Sequence, residues 1–330
     1  MDLELLNKIC QQYKLGTLEC EPVQLTGGFM HKMYSLFTTE GKFAVKLLNP
    51  YVMQRDEAMG NYRTAENLEK VLEENNIPIL PAIVFNGEKM QKTDGRFFYL
   101  FRWYDGKALK SEEIQKLHCE RIGGLLAEIH KLDCKEAPYE RNEMNFDWDN
   151  YIKLFSDKNS ELYYLLKENR TLLYENQKLG NDAVKKIPPI VSICHNDMDS
   201  KNVLWKGNDC RIIDLECLSY SSPIMESYEL ALCWSGYEIC KIDFELFNCF
   251  INSYAKAGGQ LMSEPEAIYN CNQGRLEWLE YNIKRSLGIE CSEEEIEIGI
   301  SEVKDTMAHV IYYHEAKSDI IHCLKQISTR

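Results

Sequence analysis

Cys194-His195-Asn196-Asp197-Met198-Asp199-Ser200-Lys201-Asn202-Val203-Leu204-Trp205, followed after a short interval by Ile212-Ile213-Asp214-Leu215-Glu216, is the stretch on which the reading of this chain turns. The apolar run Val203-Leu204-Trp205 predicts one strand, and residues 210–215 predict another. Lys206-Gly207-Asn208-Asp209 between them has the composition of a hairpin turn. The second strand then ends on Asp214, facing the loop that carries Asp197 and Asn202. A His, two Asp and an Asn are thereby gathered at a spacing suited to metal-dependent phosphoryl transfer.

His195-x-Asp197-x-x-x-x-Asn202 with Asp214 downstream resembles the catalytic loop shared by protein kinases and by small-molecule kinases of the aminoglycoside phosphotransferase/choline kinase family. The resemblance implies a role for each residue. Asp197 would orient an acceptor hydroxyl and accept its proton. The Asn202 amide oxygen and the Asp214 carboxylate would hold Mg2+, which takes hard oxygen ligands. His195 would brace the loop by hydrogen bonding.

Upstream features carry the nucleotide half of the resemblance. Residues 23–36 read as strand, glycine turn, strand, with Gly27 and Gly28 able to bring backbone N–H groups close to phosphate oxygens. In Lys42-Phe43-Ala44-Val45-Lys46-Leu47-Leu48 a lysine sits inside an apolar strand, where it is costly unless paired. This pattern is similar to the kinase strand whose Lys holds the α- and β-phosphates. Residues 55–75 predict a Glu-rich helix ending before Ile77-Pro78. Glu57, Glu66, Glu69 and Glu73 are candidate partners for Lys46, and family-like spacing points to Glu66. Residues 97–106 resemble a last N-lobe strand running into a hinge, which implies nucleobase contacts at Arg102, Trp103 and Tyr104.

Residues 120–132 carry the apolar stripe Ile122, Leu125, Leu126, Ile129 and Leu132, the pattern of an amphipathic helix. It resembles the family's first large C-lobe helix, with His130 structural. Residues 275–287 form another such helix. C-terminal helices help to build the acceptor pocket in this family, and Glu229, Trp234, Trp278, Glu280 and Asn282 are the candidates here. The implied fold is α+β, bilobal and protein-kinase-like. An N-lobe of antiparallel sheet plus helix spans residues 1–103, and a mainly helical C-lobe spans residues 104–330.

Departures from the protein-kinase pattern favour a small-molecule acceptor. Asp214-Leu215-Glu216 replaces D-F-G, and there is no A-P-E motif. Asp199 stands where a Ser/Thr kinase carries Lys, and is a candidate substrate residue. Glu216 is either a further metal ligand or an anchor for a cationic acceptor. The expected activity is γ-phosphate transfer from ATP or GTP, with Mg2+, to an aminoglycoside-like, amino-sugar or amino-alcohol hydroxyl. A neutral sugar or other metabolite is the alternative acceptor. A protein kinase and a catalytically idle kinase-like binding module are the other readings.

Composition bounds the setting. The 330 residues are 45% hydrophobic and carry a net charge of −14, which argues against nonspecific binding to nucleic acid or an anionic membrane. No apolar run approaches membrane-spanning length, and the start lacks a signal peptide's layout. The thirteen cysteines contain no C-x-x-C pair and read as buried hydrophobes in a reducing cytoplasm. The expected partners are a nucleoside triphosphate and a small-molecule acceptor, with the protein a monomer or homodimer.

Overall fold

The computed structural model of the protein describes residues 2–25, 30–137, 143–271 and 273–328. Its contacts divide the chain into two units, Met1–Lys110 with His195–Ser219, and Ser111–Cys194 with Tyr220–Arg330.

In the first unit, helix α1 (Asp2–Gln12) leads into strands β1 (Val23–Leu25), β2 (Lys32–Thr38) and β3 (Gly41–Leu47). Helices α2 (Pro50–Met53) and α3 (Ala58–Glu74) follow, then strands β4 (Gln91–Thr93) and β5 (Arg96–Arg102). The strands form one antiparallel sheet in the order β1-β2-β3-β5-β4. Side chains alternate between the faces of a strand. Phe43, Val45 and Leu47 of β3, with Phe98 and Leu100 of β5, pack with Leu5, Leu6 and Ile9 of α1. Leu48 and Tyr99 belong instead to a cluster with Ala58 and Tyr62 of α3. Both faces are covered, which is why β3 reads as an almost unbroken apolar run. Lys46 shares the parity of Leu48 and therefore lies on the α3 side.

Helix α3 ends in a Schellman arrangement. Asn76 takes a positive φ of 58°, its N–H donates to the Glu73 carbonyl, and the Ile77 N–H donates to the Leu72 carbonyl. The chain is thus turned into Pro78-Ile79-Leu80, which bonds to a hairpin from far along the sequence. That hairpin, Val203–Lys206 against Asp209–Ile212, turns at Gly207 with φ 62°. Leu80 N–H donates to Ile212 O at 2.8 Å, and Ile212 N–H to Pro78 O at 2.8 Å. Lys107 and Trp205 exchange backbone hydrogen bonds of 2.9 and 2.8 Å. These bonds explain why the units differ from the expected split at 103/104. Residues up to Lys110 and the whole segment His195–Ser219 are tied to the N-terminal sheet.

The second unit is mainly helical. Within it, Ile190–Cys194 pairs with Lys135–Glu136. His130, on the helix Lys116–Leu132, binds several elements together. Its Nε2 lies 2.7 Å from Glu226 Oε2, its Nδ1 lies 2.8 Å from the Tyr254 hydroxyl, and its carbonyl accepts from Ser192 Oγ. A second core gathers Trp148, Phe155, Leu162, Leu173, Leu279, Val303 and Met307 from the helices on either side of them in sequence. Among the described residues no helix is long and apolar enough to cross a membrane. The antiparallel N-terminal sheet with its helices, followed by a helical remainder, is the α+β class expected from the sequence.

Gly123 sets how closely the helix Lys116–Leu132 approaches Phe244–Lys256. A Cβ at Gly123 would meet the Phe250 carbonyl oxygen at 2.5 Å, a backbone atom that cannot rotate away. Gly123→Ala is therefore expected to destabilise the fold by about 1–3 kcal/mol through forced helix separation. Urea unfolding checks this, and an unchanged midpoint would contradict the packing described.

Candidate active site

Strand β3 delivers Lys46 into a buried position where two carboxylates meet it. Its Nζ donates a hydrogen bond to Asp214 Oδ1 and forms an ion pair with Glu216 Oε2. Burial opposes the ammonium charge, but the two carboxylates outweigh it and hold Lys46 above the ordinary lysine range. Burial likewise pushes Glu216 upward, while Lys46 and His31 outweigh it and bring its carboxyl down to about 2. Each Glu216 oxygen has its own partner, since His31 Nε2 lies 3.1 Å from Oε1. His31 Nδ1 accepts the Asn49 N–H at 2.9 Å, so Nε2 carries the hydrogen and Glu216 Oε1 is one of its acceptors. The Tyr62 hydroxyl lies 3.1 Å from the same Nε2.

Asp214 reaches Lys46 from a left-handed backbone, φ 62° and ψ 54°, a conformation costing a non-glycine roughly 1 kcal/mol. Neighbouring bonds hold it there. Ile213 N–H donates to Asn202 O at 2.9 Å, and Ile213 O accepts from His195 Nε2 at 3.1 Å. His195 is fully buried, and its Nδ1 accepts the Asp197 N–H at 3.3 Å. With both ring nitrogens committed to backbone groups, His195 connects the two loops and has no nitrogen left to act as a base.

Asn202 completes the loop. Its Nδ2 donates to Asp197 O at 2.7 Å and to Asp197 Oδ2 at 2.8 Å, which leaves the amide oxygen as its hard donor. The turn Ser200–Asn202 is capped by Asp199, whose side chain accepts the Lys201 N–H. Lys201 Nζ lies 2.8 Å from Asp199 and 3.4 Å from Asp197. Desolvation by the packed loop pushes the Asp197 carboxyl up to about 7, with Asp199 and Asp214 adding to the rise and Lys201 opposing it.

The donor set suits a divalent cation. Asn202 and Asp214 offer neutral and anionic oxygens, the ligand types Mg2+ takes. Two carboxylates around one ammonium leave an excess negative charge at Lys46 that such an ion would neutralise. Among the described residues Asp214 meets partners only through Oδ1, so Oδ2 is available to an ion.

Several expected site residues lie elsewhere. Glu66 does not hold Lys46, because its Oε1 accepts from the Tyr99 hydroxyl at 2.9 Å and from Met90 N–H at 3.1 Å. Glu69 caps the Ala82 N–H and pairs with Lys89, which also takes Glu73. Asp199 is engaged in bracing the loop rather than facing a substrate. The Trp103 N–H donates to Lys42 O at 3.2 Å, which removes it as a nucleobase donor. The Arg102 side chain lies over the Phe43 ring and the Tyr104 ring faces Arg211, while the nucleobase contacts expected there are those of hinge backbone groups. Gly27 and Gly28 lie outside the described residues.

In the second unit Trp234 and Asn282 are fully buried, so neither lines an open pocket. Asn282 is bonded to Trp278 O and Arg285. Trp278 donates to Glu302 and stacks on Tyr281, while Glu280 takes Tyr151 and Lys284. Glu229 is half-buried beside Gly274, at the start of the helix Gly274–Ser286. Sequence reasoning missed His31, Tyr62 and Lys201. Only Lys201 left a signal, a cation inside the catalytic-loop spacing.

The sequence pattern of the phosphotransferase enzyme family matches residues 22–247, a span that includes Lys46, Asp197, Asn202 and Asp214. The chain belongs to this phosphotransferase family. It is a small-molecule kinase of the aminoglycoside phosphotransferase and choline kinase type. No curated protein sequence matches it. Among solved structures, the phosphotransferase chain is similar to spectinomycin phosphotransferase in complex with ADP and spectinomycin, with a TM-score of 0.69 at 12% identity. That match covers 94% of this chain and 98% of the other. A choline/ethanolamine kinase family protein from Mesorhizobium loti gives a TM-score of 0.56 at 15% identity, covering 98% of each chain. An ethanolamine kinase from Plasmodium vivax gives 0.54 at 17%, covering 90% and 85%. At these identities the likeness is one of fold.

The depressed Glu216 carboxyl has a consequence for stability. Its ion pairing contributes fully above its unfolded value near 4.5 and is lost as pH falls toward about 2. In this phosphotransferase, Glu216→Gln is expected to lower stability most near neutrality, with the gap to the parent closing as pH falls through that window. Urea unfolding across the window checks it, and a gap independent of pH would contradict the pairing.

Proposed function

We propose that this kinase transfers the γ-phosphate of ATP or GTP to the hydroxyl of a small amino-sugar or amino-alcohol acceptor, aminoglycoside-like compounds included. The observation that carries the reading is the joining of two loops in one unit. Asn202 holds Asp197 at 2.8 Å, and its carbonyl holds Ile213 beside Asp214, which pairs with Lys46. Lys46 binds the phosphates, together with Gly27 and Gly28 as the sequence resemblance implies. Asn202 and Asp214 would hold Mg2+, which when bound supplies charge neutralisation on the phosphate oxygens. Asp197 orients the acceptor hydroxyl in line with the γ-phosphate and takes its proton. Its raised carboxyl value suits a base working near neutrality. His195 braces the loop.

The acceptor class draws on two kinds of support. The net charge of −14 favours cationic compounds. Similar folds occur in a spectinomycin phosphotransferase, an ethanolamine kinase and an amicoumacin kinase in complex with AMP-PNP and Ca2+. Glu229 and Trp278 remain the acceptor-side candidates. We place the protein in a reducing cytoplasm, in keeping with thirteen cysteines that contain no C-x-x-C pair.

Asp197→Asn is expected to lower kcat by about a hundredfold or more while nucleotide affinity stays near that of the parent. Steady-state transfer kinetics with parallel binding titrations check this. Normal turnover in the variant would remove Asp197 from the mechanism.

A further inference from the structure

A lysine that grips phosphates must be held by a fixed carboxylate, or its four-carbon stem samples many rotamers. Helix α3 is where such a carboxylate was expected. Yet among the described residues Glu66, Glu69 and Glu73 are all bonded to other groups. The α3 side chain that reaches the Lys46 cluster is Tyr62, through His31. Glu216 and Asp214 both contact Lys46, but in different ways. Glu216 has both oxygens taken, Oε2 by Lys46 and Oε1 by His31. Asp214 uses Oδ1 alone, and its side chain is twice as exposed, 33% against 16%.

Resting on the kinase reading above, we propose that His31 and Tyr62 are positioning residues for Lys46. They fix Glu216 so that it, in place of a helix glutamate, holds the lysine at the phosphates and leaves Asp214 to the metal ion. His31 is suited to this because its two nitrogens do separate jobs. Nδ1 is anchored by the Asn49 N–H at 2.9 Å, which turns the Nε2–H toward Glu216 Oε1 and the Tyr62 hydroxyl oxygen, both at 3.1 Å. The Tyr62 hydroxyl seats the ring from the α3 side. A carboxylate so clamped cannot swing away from Lys46 when a phosphate arrives, and it need not be released for the ion to bind.

The two jobs of His31 can be separated. Gln reaches the Nε2 position and keeps a donor for Glu216, whereas Asn reaches only the Nδ1 position and loses that donor. The test measures binding of a non-hydrolysable ATP analogue with magnesium, together with KM for nucleotide and for acceptor. His31→Asn is expected to weaken nucleotide binding and raise nucleotide KM by about tenfold, with acceptor KM unchanged. His31→Gln should stay within about threefold of the parent. In a Glu216→Gln background, His31→Asn should add nothing, because the group it orients is gone. If His31→Asn fails to fold, Tyr62→Phe carries the test, with an expected loss of about two- to fivefold. The assignment is overturned if His31→Asn and Tyr62→Phe bind nucleotide like the parent, or if the His31 and Glu216 losses add independently. A parent protein that binds no nucleotide would overturn the kinase reading and this assignment together, a result distinct from altered variants of an active parent.

Discussion

The structure of the catalytic unit depends on one constraint: a lysine ammonium placed on a strand that is covered on both faces must be neutralised where it stands. Lys46 cannot reach water, so carboxylates come to it. Breaking such a pair from one side leaves a buried charge alone, at several kcal/mol, on the order of 3–5. The segment His195–Ser219 is therefore bound to the N-terminal sheet by charge as well as by the hydrogen bonds of its hairpin. The interaction that would bind a nucleotide's phosphates also holds the catalytic segment in register.

Around that ion cluster the loop is heavily bonded. His195, Asn202 and Ile213 exchange bonds that leave Asp197 and Asp214 few alternatives, and Asp214 adopts a left-handed backbone that a free chain would avoid. Strain of this kind persists only where neighbours over-determine it. Here the neighbours are the same residues to which the proposed chemistry is assigned, so that proposal rests on bonds that also hold the fold.

Much of this was legible in the sequence because it is local. The loop spacing, the hairpin at Gly207, the Lys46 strand and the limits of α3 each follow from residues within one element or its neighbour. The partner of Lys46 was not legible. Which turn of α3 faces the lysine depends on the helix's rotation against the sheet, and one residue of spacing moves a side chain by about 100° around the axis. Glu66 was thus turned to Tyr99, and Tyr62 brought to the cluster. Trp234 and Asn282 failed as pocket candidates for a related reason. A polar or aromatic residue on a helix edge looks the same in sequence whether its neighbour is solvent or another helix. Lys201 and His31 were passed over because each acts through contacts that periodicity does not encode.

Phosphorus NMR of the parent protein with ATP or GTP, magnesium and a panel of amino-sugar and amino-alcohol acceptors tests the central claim most directly. The account predicts loss of the γ-phosphate signal and growth of a phosphomonoester signal that requires both the divalent ion and a particular acceptor. Unchanged nucleotide with every acceptor, or release of inorganic phosphate alone, would contradict it.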